Sequence, residues 1–168
     1  MSVMRETAHE IAANVAEQRD VWQRLLDLSR AQLQALSVQD VQAVHDILQE
    51  LEIVMLERSR TELRRGMLIS GAASKLGIAP ESMTREIVAS HCDPDVAEAL
   101  THAAEELRSL VVELDSIVSR NTTLLQQELA IIDVLVRGVT TDTRANTTYS
   151  KHGEQQDAPR LRLLDAQV

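Results

Sequence analysis

At 168 residues, 44% of them hydrophobic, the chain is long enough for one domain with an irregular end. It has no Phe, one Trp (Trp22), one Tyr (Tyr149), five Gly and three Pro. A core must therefore be built from Leu, Ile, Val, Ala and Met, which suits helix–helix seams and tells against a turn-rich β fold. The formal charge of −9 makes a poor surface for nucleic acid or anionic membrane, and a single cysteine, Cys92, excludes an intrachain disulfide.

The first predicted helix runs from about Arg5 to Leu36, with Ile11, Val15, Trp22, Leu25, Leu26, Leu33 and Leu36 on one face and Gln18 and Ser29 as polar interruptions. Ser37-Val38-Gln39-Asp40 is a short break in which Ser37 and Asp40 can each cap a helix start. A second helix follows to about Lys75 through Val41, Val44, Ile47, Leu48, Leu51, Val54, Met55, Leu63 and Met67. So short a connection predicts an antiparallel hairpin. Gly77 and Pro80 end it, since Gly suits the left-handed residue after a helix and Pro cannot continue one. A brief helix is expected from Glu81 to about Ser90, with Ser82 or Thr84 near its start. His91-Cys92-Asp93-Pro94 forms the second break, with Asp93 as cap and Pro94 at a first helical position.

The last helix is the most strongly patterned part of the chain. Leu100, Ala103, Leu107, Leu110, Leu114, Ile117, Asn121, Leu124, Glu128, Ile131 and Leu135 alternate in steps of three and four, and Ala104, Val111, Val118, Leu125 and Ile132 form a second stripe of period seven. The helix is expected to end at Arg137-Gly138, about 65 Å from its start at 1.5 Å per residue. A helix of that length needs the hairpin as its packing partner. Near its end Leu129, Val134 and Val136 add apolar residues on the remaining sides, with Asp133 the one charge between Leu129 and Val136. A helix apolar nearly all round should be buried all round, so something beyond the hairpin must cover it. The expected fold is all-α: an elongated antiparallel bundle or coiled coil of three long helices and one short one over residues 1–138, followed by a flexible polar tail over 139–168. No segment is apolar enough for stable membrane insertion and no apolar signal core precedes the first helix, so the expected location is the cytoplasm.

The chemistry-bearing clusters read as ordinary surface. His102 has Glu98 and Glu106 four residues to either side, but a bundle metal centre needs a Glu-x-x-His unit on two helices and the chain has one, Glu6 to His9. His91, Cys92 and Asp93 are adjacent in a turn, where a nucleophile and its base rarely point at one another. Arg58, Arg60, Arg64 and Arg65 are interleaved with Glu52, Glu57 and Glu62, which predicts a salt-bridged face. Ser70 to Lys75 lacks phosphate-loop spacing. No enzyme activity, metal or cofactor is expected. Asn121 either fixes the register of the seam, the favoured reading, or lines a partner groove. Tyr149, the one aromatic outside the first helix, is suited to anchoring in a pocket of another protein.

With these segments placed, the chain resembles the FlgN family of flagellar export chaperones. Ala35-Leu36-Ser-Val-Gln-Asp40 through Leu51, then Leu56-Glu57-Arg58-Ser-Arg60 and Leu63, resemble the family's first hairpin, and Leu76-Gly77-Ile78 the Leu-Gly after it. Asn121-Thr-Thr-Leu124-Leu125 is similar to the Asn-x-x-Leu-Leu of the last helix, and Thr148-Tyr149-Ser-Lys-His-Gly153 to the Thr-Tyr-x-x-x-Gly of the tail. The resemblance implies a cytoplasmic chaperone of the flagellar type III secretion system. Such a protein binds the C-terminal helices of hook–filament junction proteins, FlgK and FlgL, keeps them unassembled and docks on the export gate. Carried over, it makes Asn121, Leu124, Leu125, Leu129, Ile132 and Val136 the substrate-protein binding residues, and Tyr149 with Gly153 the gate-docking residues. The stretch after Glu154 and most of the first helix lie outside the motifs. The competing class is a self-associating helical scaffold whose surplus apolar face is a homodimer interface.

Overall fold

The computed structural model describes residues 2–145, and every regular element among them is helical: α1 (Ser2–Ser37), α2 (Val41–Leu76), one 3-10 turn (Pro80–Ser82), α3 (Arg85–Ala89) and α4 (Pro94–Ala145). The all-α class, with three long helices and one short, is as the composition required. The chain divides into two compact units, Met1–Gln127 and Glu128–Val168.

In the first unit, α1 and α2 make the expected hairpin. Ser37 turns its hydroxyl back to the Gln34 carbonyl at 2.7 Å and closes α1, while the Asp40 carboxylate accepts from the Ala43 N–H at 3.0 Å and starts α2. Of the two candidate caps, Asp40 takes the role. Gln39 between them has φ 57°, a left-handed conformation that costs a non-glycine residue about 1–2 kcal/mol and that the tight reversal demands. At the far end of α2, Gly77 sits at φ 66°, and the Ile78 N–H reaches back to the Ala73 carbonyl at 3.1 Å, so a left-handed glycine ends the helix as predicted.

Ion pairs and hydrogen bonds give the helix directions. Glu57 with Arg24, Arg64 with Glu17 and Lys75 with Thr7 set α2 antiparallel to α1. His9 with Asp93, Arg19 with Glu106, Arg30 with Glu113 and Gln32 with Asn121 rise together along both chains, so α4 returns parallel to α1.

Two apolar clusters form the interior of this unit. One gathers Met4, Ala8, Ile11 and Ala12 of α1 with Ala72, Val88 and Leu100. The other holds Val21, Leu25 and Val54, with Leu28, Leu51 and Leu114 packed against them. Between the two, Asn14 and Gln18 donate side-chain amide hydrogens to the Thr61 carbonyl at 3.1 and 3.4 Å. The Asn14 Oδ1 is buried without a partner among the described residues, at a cost of about 1–3 kcal/mol. This polar layer ties the middle of α1 to the Thr61 turn of α2. Gln18, a polar interruption in the sequence pattern, belongs to this layer.

Three expectations change. Of the apolar residues predicted along α2, Val41, Leu48, Met55, Leu63 and Met67 are exposed; Leu63 and Met67 form a stripe with Ile53 and Leu56 on the side of α2 opposite Val54, Thr61 and Ala72. The helix carries apolar residues on two faces, and α1 covers the one whose alanines, Ala72 and Ala73, allow close approach. The short helix is Arg85–Ala89 rather than a run from Glu81, because Thr84 is its cap, accepting from the Ile87 N–H at 3.4 Å. Finally, α4 passes through Gly138 to Ala145. One interior glycine costs a helix only about 1 kcal/mol, too little by itself to end one.

Candidate functional site

The packing of α4 in the first unit follows the heptad seam. Leu100 and Ala103 are buried; Leu107, Leu110, Leu114, Ile117 and Leu124 are half-buried. Asn121 is 3% exposed, and its Nδ2 donates to the Ser29 carbonyl at 3.0 Å and to the Gln32 Oε1 at 2.8 Å. It therefore faces α1, and its amide ties the last turns of α1 to one position on α4. Its Oδ1 has no partner among the described residues. Equal rise along two parallel helices puts Ser37, the end of α1, level with about residue 127 of α4. Leu125, beside the seam, is exposed.

In the second unit the same pattern continues on a helix whose large aliphatic residues are exposed. Leu129 is 66% exposed, Ile131 and Ile132 53% each, Val134 68%, Leu135 63% and Val136 56%. At about 100° per residue, Leu129, Ile132 and Val136 share a stripe about 60° wide, while Ile131 and Leu135 prolong the seam and Val134 falls outside both. Asp133 and Arg137 pair along the helix at 2.8 Å, an i,i+4 contact contributing about 0.2–0.5 kcal/mol. Six large aliphatic side chains within eight residues, on more than one side of one helix, have no counterpart on a fully solvated surface. Leu129, Ile132 and Val136 thus share one stripe in the second unit; in the first, Leu125 is exposed, Leu124 half-buried and Asn121 closed against α1. Tyr149 and Gly153 fall outside the described residues.

The remaining clusters do structural work. Cys92 packs against the first apolar cluster, and burial, helped by the charge of Asp93, pushes its thiol above the usual range. That is the reverse of what a nucleophile needs. His91 turns Nδ1 to the Ile87 carbonyl at 2.8 Å. Asp93 is held below the usual carboxylate range by the hydrogen bond from Arg5, with the charges of Arg5 and His9 acting the same way. Glu106 is shared between Arg19 at 3.2 Å and His102 at 3.3 Å. Among the described residues no group of three or more His, Cys, Asp or Glu side chains is placed to hold a metal ion, and no helix is long and apolar enough to cross a membrane. In the arginine cluster, Arg58 lies over the Trp22 ring at 4.8 Å and Arg64 pairs with Glu17.

Against known proteins, the family model described as FlgN protein matches residues 1–157, almost the whole chain. None of the curated proteins and none of the solved structures compared matches it.

Proposed function

From the premise that this chain belongs to the FlgN family, the flagellar export chaperones, we propose that it grips the C-terminal helices of hook–filament junction proteins of the FlgK and FlgL kind with the open end of α4. On this reading it works in the cytoplasm, prevents premature assembly of its cargo and delivers it to the export gate. The observation that carries the reading is the exposure of Leu129, Ile131, Ile132, Val134, Leu135 and Val136. An amphipathic cargo helix has an apolar stripe that must be hidden before export, and it matches the exposed aliphatic residues of this part of α4. Leu125, Leu129, Ile132 and Val136 are the proposed contacts, with Leu124 at their edge. Asn121 is assigned to register rather than to cargo, since its amide is engaged with α1.

The test is binding of a junction protein's C-terminal fragment to the full chain and to the double variant Leu129→Asp, Ile132→Asp. Each lost aliphatic contact is worth about 1.5–3 kcal/mol, so affinity should fall by roughly a hundredfold or more while helicity is unchanged. Unchanged affinity would sink the proposal. Delivery is assigned to the tail through Tyr149 and Gly153. Tyr149→Ala should leave cargo affinity intact and lower secretion; normal secretion would remove the tyrosine from the mechanism.

A second reading has its own observation. The outer stripe of α2, with Ile53, Leu56, Leu63 and Met67 exposed, is the kind of surface a homodimer buries. Sedimentation over a range of concentrations, with Leu63→Glu as control, distinguishes a self-associating scaffold from a chaperone that is monomeric once loaded.

A further inference from the structure

Away from the open end of α4, the first unit contains a groove of about 480 Å³ in which the second half of α2 and the first half of α4 form the walls, α3 closes one side and α1 forms the floor. Its lining is aliphatic, with Val15, Ile69, Val88, Leu107 and Val111 among the residues that face it. Arg65, Arg85 and Arg108, from three different elements, stand in the same lining. Arg85 is shared with Glu86 at 3.3 Å and Glu105 at 4.0 Å. Arg65 and Arg108 are exposed and make no ion pair among the described residues. In a chain of net charge −9, Arg65 and Arg108 make the lining of this groove, which contains no Asp or Glu, locally positive.

We propose that this groove is a docking site for an acidic amphipathic helix of another protein, whose aliphatic side chains at i, i+3 or i+4 enter the groove while flanking carboxylates pair with Arg65, Arg108 and Arg85. The chemistry selects a helix. An extended peptide would leave its backbone N–H and C=O groups unpaired against helical walls that offer no sheet edge, whereas a helix satisfies its own. The rim selects the charge, since guanidinium forks recognise carboxylates in paired geometry and reject an approaching basic helix. This site is separate from the proposed cargo grip on α4 and stands whether or not that grip is correct.

The experiment uses the full chain carrying Leu129→Asp and Ile132→Asp, which silences the end of α4. The probe is a fluorescent 18-residue synthetic helix with leucines at heptad positions and glutamates beside them, and a control in which lysines replace the glutamates. Anisotropy should show the glutamate helix binding at least tenfold more tightly than the lysine helix at low salt, with the preference shrinking as salt rises. Arg65→Glu with Arg108→Glu, both at exposed positions, should reverse the preference and leave the melting temperature unchanged. Equal binding of the two helices, or a preference untouched by the double reversal, would overturn the proposal. So would binding that emerges only after residues 146–168 are deleted, which would give the groove to the chain's own end. Displacement of the probe by decanoate at the probe's own concentration would overturn it too, by giving the groove to a simple aliphatic acid.

Discussion

Two stretches of one helix carry one pattern and meet opposite fates. From Leu100 to Leu124 the heptad positions of α4 are buried or half-buried against the hairpin, and a single polar member, Asn121, is saturated on its donor side by α1. From Leu129 to Val136 the aliphatic content is as high, yet every such residue is more than half exposed. Within the first unit, α1 accompanies α4 as far as Ser37, level with about residue 127. Apolar residues on a helix face are therefore a request for a partner, which the hairpin answers within the first unit.

Placing the same charge in each stretch should break the comparison most visibly. Leu114→Asp puts a carboxylate against Val21, Leu25 and Val54, and should destabilise the first unit by about 3–5 kcal/mol in urea unfolding. Leu135→Asp, at the same heptad position, should change stability by less than about 0.5 kcal/mol. Equal losses would mean that the second stretch is packed as the first is.

The next largest effect probes the polar member of the seam. Asn121→Asp, nearly the same shape, sets a buried carboxylate before the Ser29 carbonyl and the Gln32 Oε1, both acceptors, and should cost about 3 kcal/mol at neutral pH. Much of that loss should return as acid protonates the new side chain. Gly138→Ala sharpens the other side of the comparison. Apart from its chain neighbours and the helix's own backbone, no heavy atom lies within 4 Å of an added Cβ there, so the change should favour the helical state of this stretch by the roughly 1 kcal/mol that separates the two residues in a helix. If circular dichroism shows no gain, some interaction other than helix propensity governs that turn.

The smallest effect concerns the start of α4. Asp93 titrates below its ordinary value of 3.8, first because of the hydrogen bond from Arg5. A depressed carboxylate contributes stability that is whole above the ordinary value and is lost as pH falls through the lower folded value. Asp93→Asn should therefore flatten the acid limb of the melting temperature below about pH 4 and leave the neutral range nearly unchanged. An acid limb identical to wild type would assign acid sensitivity to other carboxylates.

Much of this was legible in the residues. The absence of Phe and the 3–4 spacing of leucines dictated long helices, and Gly77 and Pro94 marked two boundaries because their backbone preferences are local. The candidate grip was legible as well, since six aliphatic residues crowded around one short stretch of helix exceed what a single neighbour can cover. The stripe Ile53, Leu56, Leu63 and Met67 was not, because α2 is apolar on two sides and periodicity alone does not say which side a partner takes. Nor was the arginine-rimmed groove. Arg65 read as one member of a salt-bridged cluster, and Arg85 and Arg108 lie far from it in the chain.

By itself the sequence determined that this protein is helical, where its helices turn, and that the end of α4 has more apolar surface than one neighbour can hide. Only the tertiary structure decided which apolar face of α2 meets α1, that Asn121 is spent on Ser29 and Gln32, and that three arginines from three elements surround one groove. The physical reason is range. Caps, glycine conformations and helical period act within a few residues, whereas burial and charge placement depend on which distant helix arrives and where it stops.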